Sequence, residues 1–306
     1  MRQYEVIDAH AHVIEYIKGI GYRGELRALK DGKVRWASGE EAYIIPRELG
    51  GCNFTHEMLI KVMDANGVSK AVLLQGSLYG LQNEYAYEAF CKHPGRFAAL
   101  GAFDPYCCMY LDIMKRWIEV FKFAGLKFEM SVYGGFMGYH PDFNVNGERM
   151  RPVWDYIDHN GLVASLDIGT FGTPSFQLDG LIEIAKTHQN SKYVIEHLFC
   201  PAADRDGNVK RCLESIAPVS NIYVTTASLP IMCAPEKYPY PSALRYVRAA
   251  NEILGSERIM WGSDIPITVT KAPYAELIDY IRDNAGLCSN DLENIYAKTA
   301  RKVYGL

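Results

Sequence analysis

A chain of 306 residues, 49% of them hydrophobic and 12% aromatic, has the apolar mass for a large buried core and the length for one α/β barrel or two ordinary domains. A formal net charge of only −4, with both signs spread along the chain, argues against nucleic acid or an anionic membrane as a partner, because both attract a basic field. No run approaches the ~20 apolar residues of a membrane-spanning helix, and Met1-Arg2-Gln3-Tyr4-Glu5 leads into the first strand too soon for a signal peptide.

The first strand candidate, 5–9, opens the run Val6-Ile7-Asp8-Ala9-His10-Ala11-His12-Val13. Residues i and i+2 of a strand share a face, so His10 and His12 aim both imidazoles into one pocket, as a chelating site needs. Asp8, one step earlier on that face, is placed to orient a ligand or to line the strand core. The connection after this strand, 13–53, exceeds the usual loop length and carries Gly19, Gly21, Gly24, Gly32, Gly39, Gly50 and Gly51. A second long connection, 129–148, holds Gly134, Gly135, Gly138, Tyr139 and His140. Both are expected above the strand ends, either as lids and substrate walls or as plain surface insertions.

Further strand candidates follow at 70–75, 96–101, 124–128, 162–167, 192–197, 222–226 and 258–261. Helix-like stretches before four of them close on Gly67, Gly125, Gly161 and Gly255. Glycine just past a helix end supplies the left-handed cap that turns the chain back. Repeated helix–glycine–strand units mean βα alternation and a parallel sheet. Eight such strands predict a (β/α)8 TIM barrel over 1–306, one domain with its chemistry at the C-terminal strand ends. A doubly wound open sheet is the alternative, but no Gly-x-Gly-x-x-Gly follows the first strand. The last helix is expected to start with a capping box, Asn290-Asp291-Leu292-Glu293. The eight cysteines (Cys52, Cys91, Cys107, Cys108, Cys200, Cys212, Cys233 and Cys288) include no C-x-x-C pair. They are read as reduced thiols filling the core of a cytoplasmic protein.

The strand ends carry a polar set. The first offers Asp8, His10 and His12, the fourth Lys127, the fifth Asp167, and the sixth Glu196 and His197. The seventh offers Thr225 and Thr226 with Ser228 nearby, and the eighth, Arg258-Ile259-Met260-Trp261-Gly262-Ser263-Asp264, ends in a carboxylate. Converging on one face, such groups can bind a divalent ion and leave a position open for water or substrate. The other histidines read as structural. His159 and His188 lie near helix C-termini, where a partial positive charge suits the dipole, His93 precedes Pro94, and His56 sits at a helix start. His140, in the second long connection, is the remaining candidate for substrate contact. Arg149 and Arg151 are read as a solvated helix start.

Taken together, these segments resemble the amidohydrolase superfamily, in particular the amidohydrolase-related branch that includes aminocarboxymuconate-semialdehyde and resorcylate decarboxylases and several lactonases and hydrolases. The resemblance rests on Ile7-Asp8-Ala9-His10-Ala11-His12, Met63-Asp64-Ala65-Asn66-Gly67-Val68, Asn83-Glu84-Tyr85 and His93-Pro94-Gly95-Arg96-Phe97. It continues through Ala124-Gly125-Leu126-Lys127, Val194-Ile195-Glu196-His197-Leu198 and Trp261-Gly262-Ser263-Asp264-Ile265-Pro266. It implies a TIM barrel, one divalent metal ion held by His10, His12 and Asp264, and His197 as a catalytic residue or further ligand. Where the family has a histidine at the end of strand five, this chain has Asp167 in Leu166-Asp167-Ile168-Gly169. As a ligand, Asp167 would lower the charge of the loaded site from about +1 to about 0 and tilt preference from zinc toward manganese. Otherwise three family ligands remain. Lys127 stands near the family's strand-four lysine, which when carbamylated bridges two metals. As a free ammonium it would hold a substrate carboxylate instead.

Hydrolysis is the leading reading. A metal-bound water would attack a carbonyl, with Asp264 accepting its proton and His197 polarising the substrate oxygen or protonating the leaving group. Non-oxidative decarboxylation is the alternative implied by the same resemblance, and a silent binding protein on the same barrel is a third reading. The resemblance implies a small, polar, carboxylate-bearing substrate and leaves a homo-oligomer open. Trp36, Tyr43, Tyr133, Phe136 and Tyr139 in the long connections suit a planar substrate, or pack the lids themselves.

Overall fold

The computed structural model describes residues 4–306; Met1, Arg2 and Gln3 of the opening segment lie outside the described residues. Among the described residues twelve strands run in chain order: β1 Ile7–Ala11, β2 Ile20–Gly21, β3 Gly24–Ala28, β4 Lys33–Trp36, β5 Glu41–Tyr43, β6 Lys70–Leu73, β7 Phe97–Gly101, β8 Gly125–Glu129, β9 Val163–Asp167, β10 Lys192–Ile195, β11 Ile222–Thr225 and β12 Ile259–Met260. Eight of them, in the order β1-β6-β7-β8-β9-β10-β11-β12, form one parallel sheet. It closes just beyond the strand ends, where Ala11 bridges Ile265 and the His12 and Asp264 N–H groups donate to the Ile265 and His10 carbonyls at 3.0 and 2.8 Å. Helices intervene between successive strands, which is the expected (β/α)8 barrel. Among the described residues no helix is long and apolar enough to cross a membrane.

The barrel interior is a small apolar cluster of Ile7, Ala9, Val72, Leu74, Ala98, Leu100, Val163, Val194, Tyr223 and Met260. Ala300, Val303 and Tyr304 of the last helix, Thr299–Tyr304, join it. That helix plugs the N-terminal end of the barrel: the Lys192 ammonium, at the start of β10, donates to the Val303 carbonyl. The polar interior positions are therefore confined to the opposite end. Outward-facing Val6, Ala11, Leu73, Ala99, Leu126 and Leu166 pack with the helices.

Several sequence expectations change. β1 and β6 slip register between Asp8 and Ala11. The irregularity puts Ala9 and His10 inside in succession and turns Asp8 outward, away from the face it was expected to share with the histidines. Gly125 does not cap a helix. It lies in β8, where a Cβ would stand 1.9 Å from the Val163 carbonyl oxygen, and the left-handed residue before the strand is Lys122 (φ 58°). Gly67, Gly161 and Gly255 do have positive φ, as expected of caps. The connection 13–53 contains β2–β5, an antiparallel sheet that was not expected. Its β3–β4 hairpin turns through Asp31 and Gly32 (φ 52° and 73°), and only Leu26, Val34 and Trp36 of those strands are buried. The capping box does not form, because the helix starts earlier, at Ser289, after an extended Cys288 with no side-chain cap bond. The cysteines are free but do not fill the core. Cys212 and Cys233 are buried, whereas Cys91, Cys107, Cys108 and Cys288 are exposed.

Candidate active site

The C-terminal strand ends surround a cavity of about 160 Å³ lined by His10, His12, Lys127, Glu129, Asp167, His197 and Asp264, with Gln75, Leu78, Tyr79, Met232 and Ile267 among the others. Its floor is built first by the seam between β1 and β12. Asp8 accepts the Ser263 N–H at 2.8 Å, the Ser263 hydroxyl at 2.5 Å and the Tyr274 hydroxyl at 2.7 Å. Gly262 lets the two segments touch, since a Cβ there would lie 2.8 Å from that of His10. Asp264 (φ 59°) then turns its carboxylate over the histidines.

His10 Nε2 and His12 Nε2 face each other at 3.1 Å, and Asp264 Oδ1 lies 3.1 Å from His12 Nε2 and 3.5 Å from His10 Nε2. Both opposite ring nitrogens are occupied. His10 Nδ1 donates to Glu196 Oε2 at 2.7 Å and His12 Nδ1 donates to the Leu74 carbonyl at 3.0 Å. Burial pushes His10 down to about 4, against the pull of Glu196 and Asp264, so its ring is neutral at pH 7. With each Nδ1 carrying the ring proton, both Nε2 atoms present lone pairs to one another and to a carboxylate oxygen. Three lone pairs meeting without a proton are suited to a cation, and the Glu196–His10 pair is the kind of support that fixes a ligand imidazole. Among the described residues, His10, His12 and Asp264 form a metal-compatible group with ligand atoms within 4.8 Å of one another.

The surrounding charges hold this arrangement. Burial would raise the Asp264 carboxyl, but its attraction to a proton on the His10, His12 or His197 ring outweighs this, so a proton entering the cluster goes to a ring first and the carboxyl stays well below the usual carboxylate range. Its second oxygen accepts the Ser228 hydroxyl. Burial likewise opposes the Glu196 charge, but the His10 Nδ1–H and the Lys127 ammonium outweigh it and hold the carboxyl below the usual range. Glu196 also accepts the Ser165 and Thr225 hydroxyls at 2.5 and 2.6 Å.

His197 begins a left-handed turn in which four successive non-glycine residues, His197, Leu198, Phe199 and Cys200, have φ of 58°, 46°, 71° and 49°. Each such residue costs ~1–2 kcal/mol, a concentration of strain typical of functional sites. The turn brings the His197 ring to 4.8 Å from that of His10, with Nδ1 donating to the Ala227 carbonyl at 3.1 Å. Its Nε2 is thereby left to the cavity, 3.8 Å from Asp167 Oδ2.

The remaining expected residues divide. Lys127 is buried and lines the cavity. Asp167 lines it too, but stands outside the three-residue group, with Oδ1 accepting the Gly169 N–H at 2.9 Å and the Cys200 thiol at 3.4 Å. His140 is not among the lining residues; its Nε2 pairs with Asp104 at 2.8 Å and its ring stacks on Tyr106. Sequence reasoning missed Glu129, Gln75 and Tyr79. Glu129 was within reach, being i+2 from Lys127 on one strand face, but its strand was ended at Phe128. Burial, reinforced by Asp167, pushes the Glu129 carboxyl up to about 7.

A family model described as amidohydrolase matches residues 7–306. No curated protein matches the sequence. Among solved structures, the chain is similar to an amidohydrolase from Burkholderia multivorans with bound zinc (18% identity, 99% of both chains, TM-score 0.69). It is also similar to a protein described as a 2-pyrone-4,6-dicarboxylic acid hydrolase from Pseudomonas putida (18% identity, 99% of this chain and 98% of that one, TM-score 0.70). A third is the 5-carboxyvanillate decarboxylase of Sphingomonas paucimobilis (18% identity, 81% and 82%, TM-score 0.58).

Proposed function

We propose that this chain, which belongs to the amidohydrolase family, is a metal-dependent hydrolase of a small, polar, carboxylate-bearing molecule. In this reading one domain spanning 1–306 holds one divalent ion, zinc or manganese, and works in the cytoplasm, a compartment compatible with its free thiols. The observation that carries the reading is the convergence of the His10 and His12 Nε2 lone pairs on Asp264 Oδ1 with both Nδ1 atoms engaged. When bound there, a divalent ion polarises a carbonyl oxygen and makes water more acidic. Asp264, ionised at neutral pH, takes a proton from the attacking water. His197, held in one tautomer by the Ala227 carbonyl, presents Nε2 to the substrate oxygen or leaving group. Lys127 receives the substrate carboxylate.

Decarboxylation is the second reading, and Lys127 is the residue that favours it. A carboxylate held by its ammonium inside the same cavity is also the starting arrangement for loss of carbon dioxide, the reaction named for the similar 5-carboxyvanillate enzyme. The metal reading is tested by elemental analysis: the wild type is expected to carry about one equivalent per chain and His12→Ala far less. Equal content in the two proteins overturns it. On a substrate that is turned over, incorporation of oxygen from labelled water marks hydrolysis, and release of carbon dioxide marks the alternative.

A further inference from the structure

The wall of the cavity formed by β8 lies four strands from β12, across the barrel from Asp264. Lys127 and Glu129 occupy positions i and i+2 of this strand, and both line the cavity. Lys127 is only 3% exposed, and among the described residues its ammonium makes no hydrogen bond or ion pair and stays open to the cavity. Gln75, just past β6 and 2% exposed, spends its side-chain oxygen on the Gln82 N–H at 2.8 Å, and among the described residues its NH₂ group makes no hydrogen bond where it lines the same cavity. Glu129 is held from behind, accepting the Ser77 N–H on Oε2 at 3.1 Å and the Ser131 hydroxyl on Oε1 at 3.3 Å. These bonds use two of the roughly four lone-pair sites of a carboxylate. Two glycines make room for it: a Cβ at Gly76 or Gly134 would lie 2.9 or 3.0 Å from its oxygens.

A bound ligand shuts these groups off from the cavity's water, so one that matches each of them is favoured over one that leaves a donor or acceptor unmatched. We propose that the β8 wall selects a short-chain acid that carries a hydrogen-bond donor on the same carbon chain. Lys127 and Gln75 take the carboxylate and Glu129 takes the donor. The backbone origins of Lys127 and Glu129 are about 6.6 Å apart along the strand, a span that a short amino acid bridges. This narrows the substrate class of the proposed hydrolase to amino or hydroxy acids and their derivatives, and it rests on the reading of this cavity as the substrate site.

The test compares acids of equal size that differ only in the donor: 4-aminobutyrate with pentanoate, and 3-aminopropionate with butyrate. Each is titrated calorimetrically into zinc-loaded protein at pH 8. In the wild type, an amino acid is expected to bind at least about tenfold tighter than its alkyl twin, the worth of one charge-assisted hydrogen bond. In Glu129→Gln the ratio should shrink to about threefold or less, and Lys127→Met should weaken both members of a pair by about tenfold. Equal binding of the twins by the wild type overturns the proposal, as does a preference that survives in folded Glu129→Gln. Should that variant not fold, Gly76→Ala, whose added carbon crowds Glu129 Oε2, is expected to abolish the same preference. Metal content measured on the same samples separates the two readings. A metal-free wild type that keeps the preference overturns the metal reading alone, and a metal-loaded one without it overturns only this proposal.

Discussion

Asp167 ends β9 with one oxygen tied to the Gly169 N–H and the other directed at His197 Nε2, so it can serve as a ligand or hold the histidine in place. As a ligand it adds a full negative charge beside neutral imidazoles. Asp167→Asn, which keeps size and shape, should then lower metal affinity by about tenfold or more in chelator competition. Metal content equal to wild type with loss of turnover only would assign the residue to positioning His197. At this scale the sequence was readable wherever strand geometry alone decides direction. His10 and His12 share a face because side chains alternate with period two, and Asp264 follows the last apolar strand. Asp8 obeyed the same rule on paper and fails it in the barrel, because the slipped register against β6 is a property of the pair and not of the β1 sequence. Its carboxylate serves instead to lock the β1–β12 seam.

That seam is the element on which the metal-compatible group depends. Gly262 is required there for space rather than for an unusual φ, because a Cβ would lie 2.8 Å from the His10 Cβ, 3.1 Å from its backbone nitrogen and 3.3 Å from the Ala227 Cβ. All three of these contacts are to main chain or its first side-chain atom and cannot swing aside. Gly262→Ala should therefore cost about 1–3 kcal/mol, the usual penalty of overpacking, read as a lower urea midpoint. Metal affinity should fall with it, since Asp264 must move away from His10 and His12. A variant with wild-type midpoint and affinity would mean that the seam is looser than its contacts indicate. Elements of this kind were partly legible. Gly67, Gly161 and Gly255 announced helix ends by chemistry that acts locally, through positive φ. Gly125 looked the same in sequence but answers a contact with Val163 on the next strand, which only the folded sheet reveals. The β2–β5 sheet had one local signal, Asp31-Gly32, lost among other glycines in strands that bury few side chains.

At the scale of the whole molecule, the eight-fold βα alternation was legible because each strand is a short apolar run between amphipathic stretches, and period and length are sequence properties. Burial of individual histidines was not, because it depends on which helix covers them. His56 was read as an ordinary helix start, yet it is fully buried between the helices His56–Ala65 and Asn83–Lys92. Its Nδ1 lies 2.9 Å from His93 Nε2, and Glu57 and Glu88 face the same ring. Burial lowers its pKa from the usual 6.5, with Lys92 and His93 working in the same direction and the two glutamates against it. Below pH 6.5 the unfolded chain thus binds a proton at this position that the folded chain resists, and stability falls as the pH drops. His10, pushed to about 4 by burial, adds a loss of the same sign over the same range. Glu129, pushed up to about 7, takes up a proton first in the folded chain and works against both, so the His56 contribution is read by comparing the pH slope of the urea midpoint, between pH 7.5 and 5, in the metal-loaded wild type and in His56→Gln. His56→Gln, which cannot take up a proton at this position, should lose less stability on acidification than the wild type, while the opposed contributions of His10 and Glu129 persist in both. Parallel declines in the two proteins would show that His56 titrates alike in the folded and unfolded chain, and that the His56–His93 contact admits a second proton without cost.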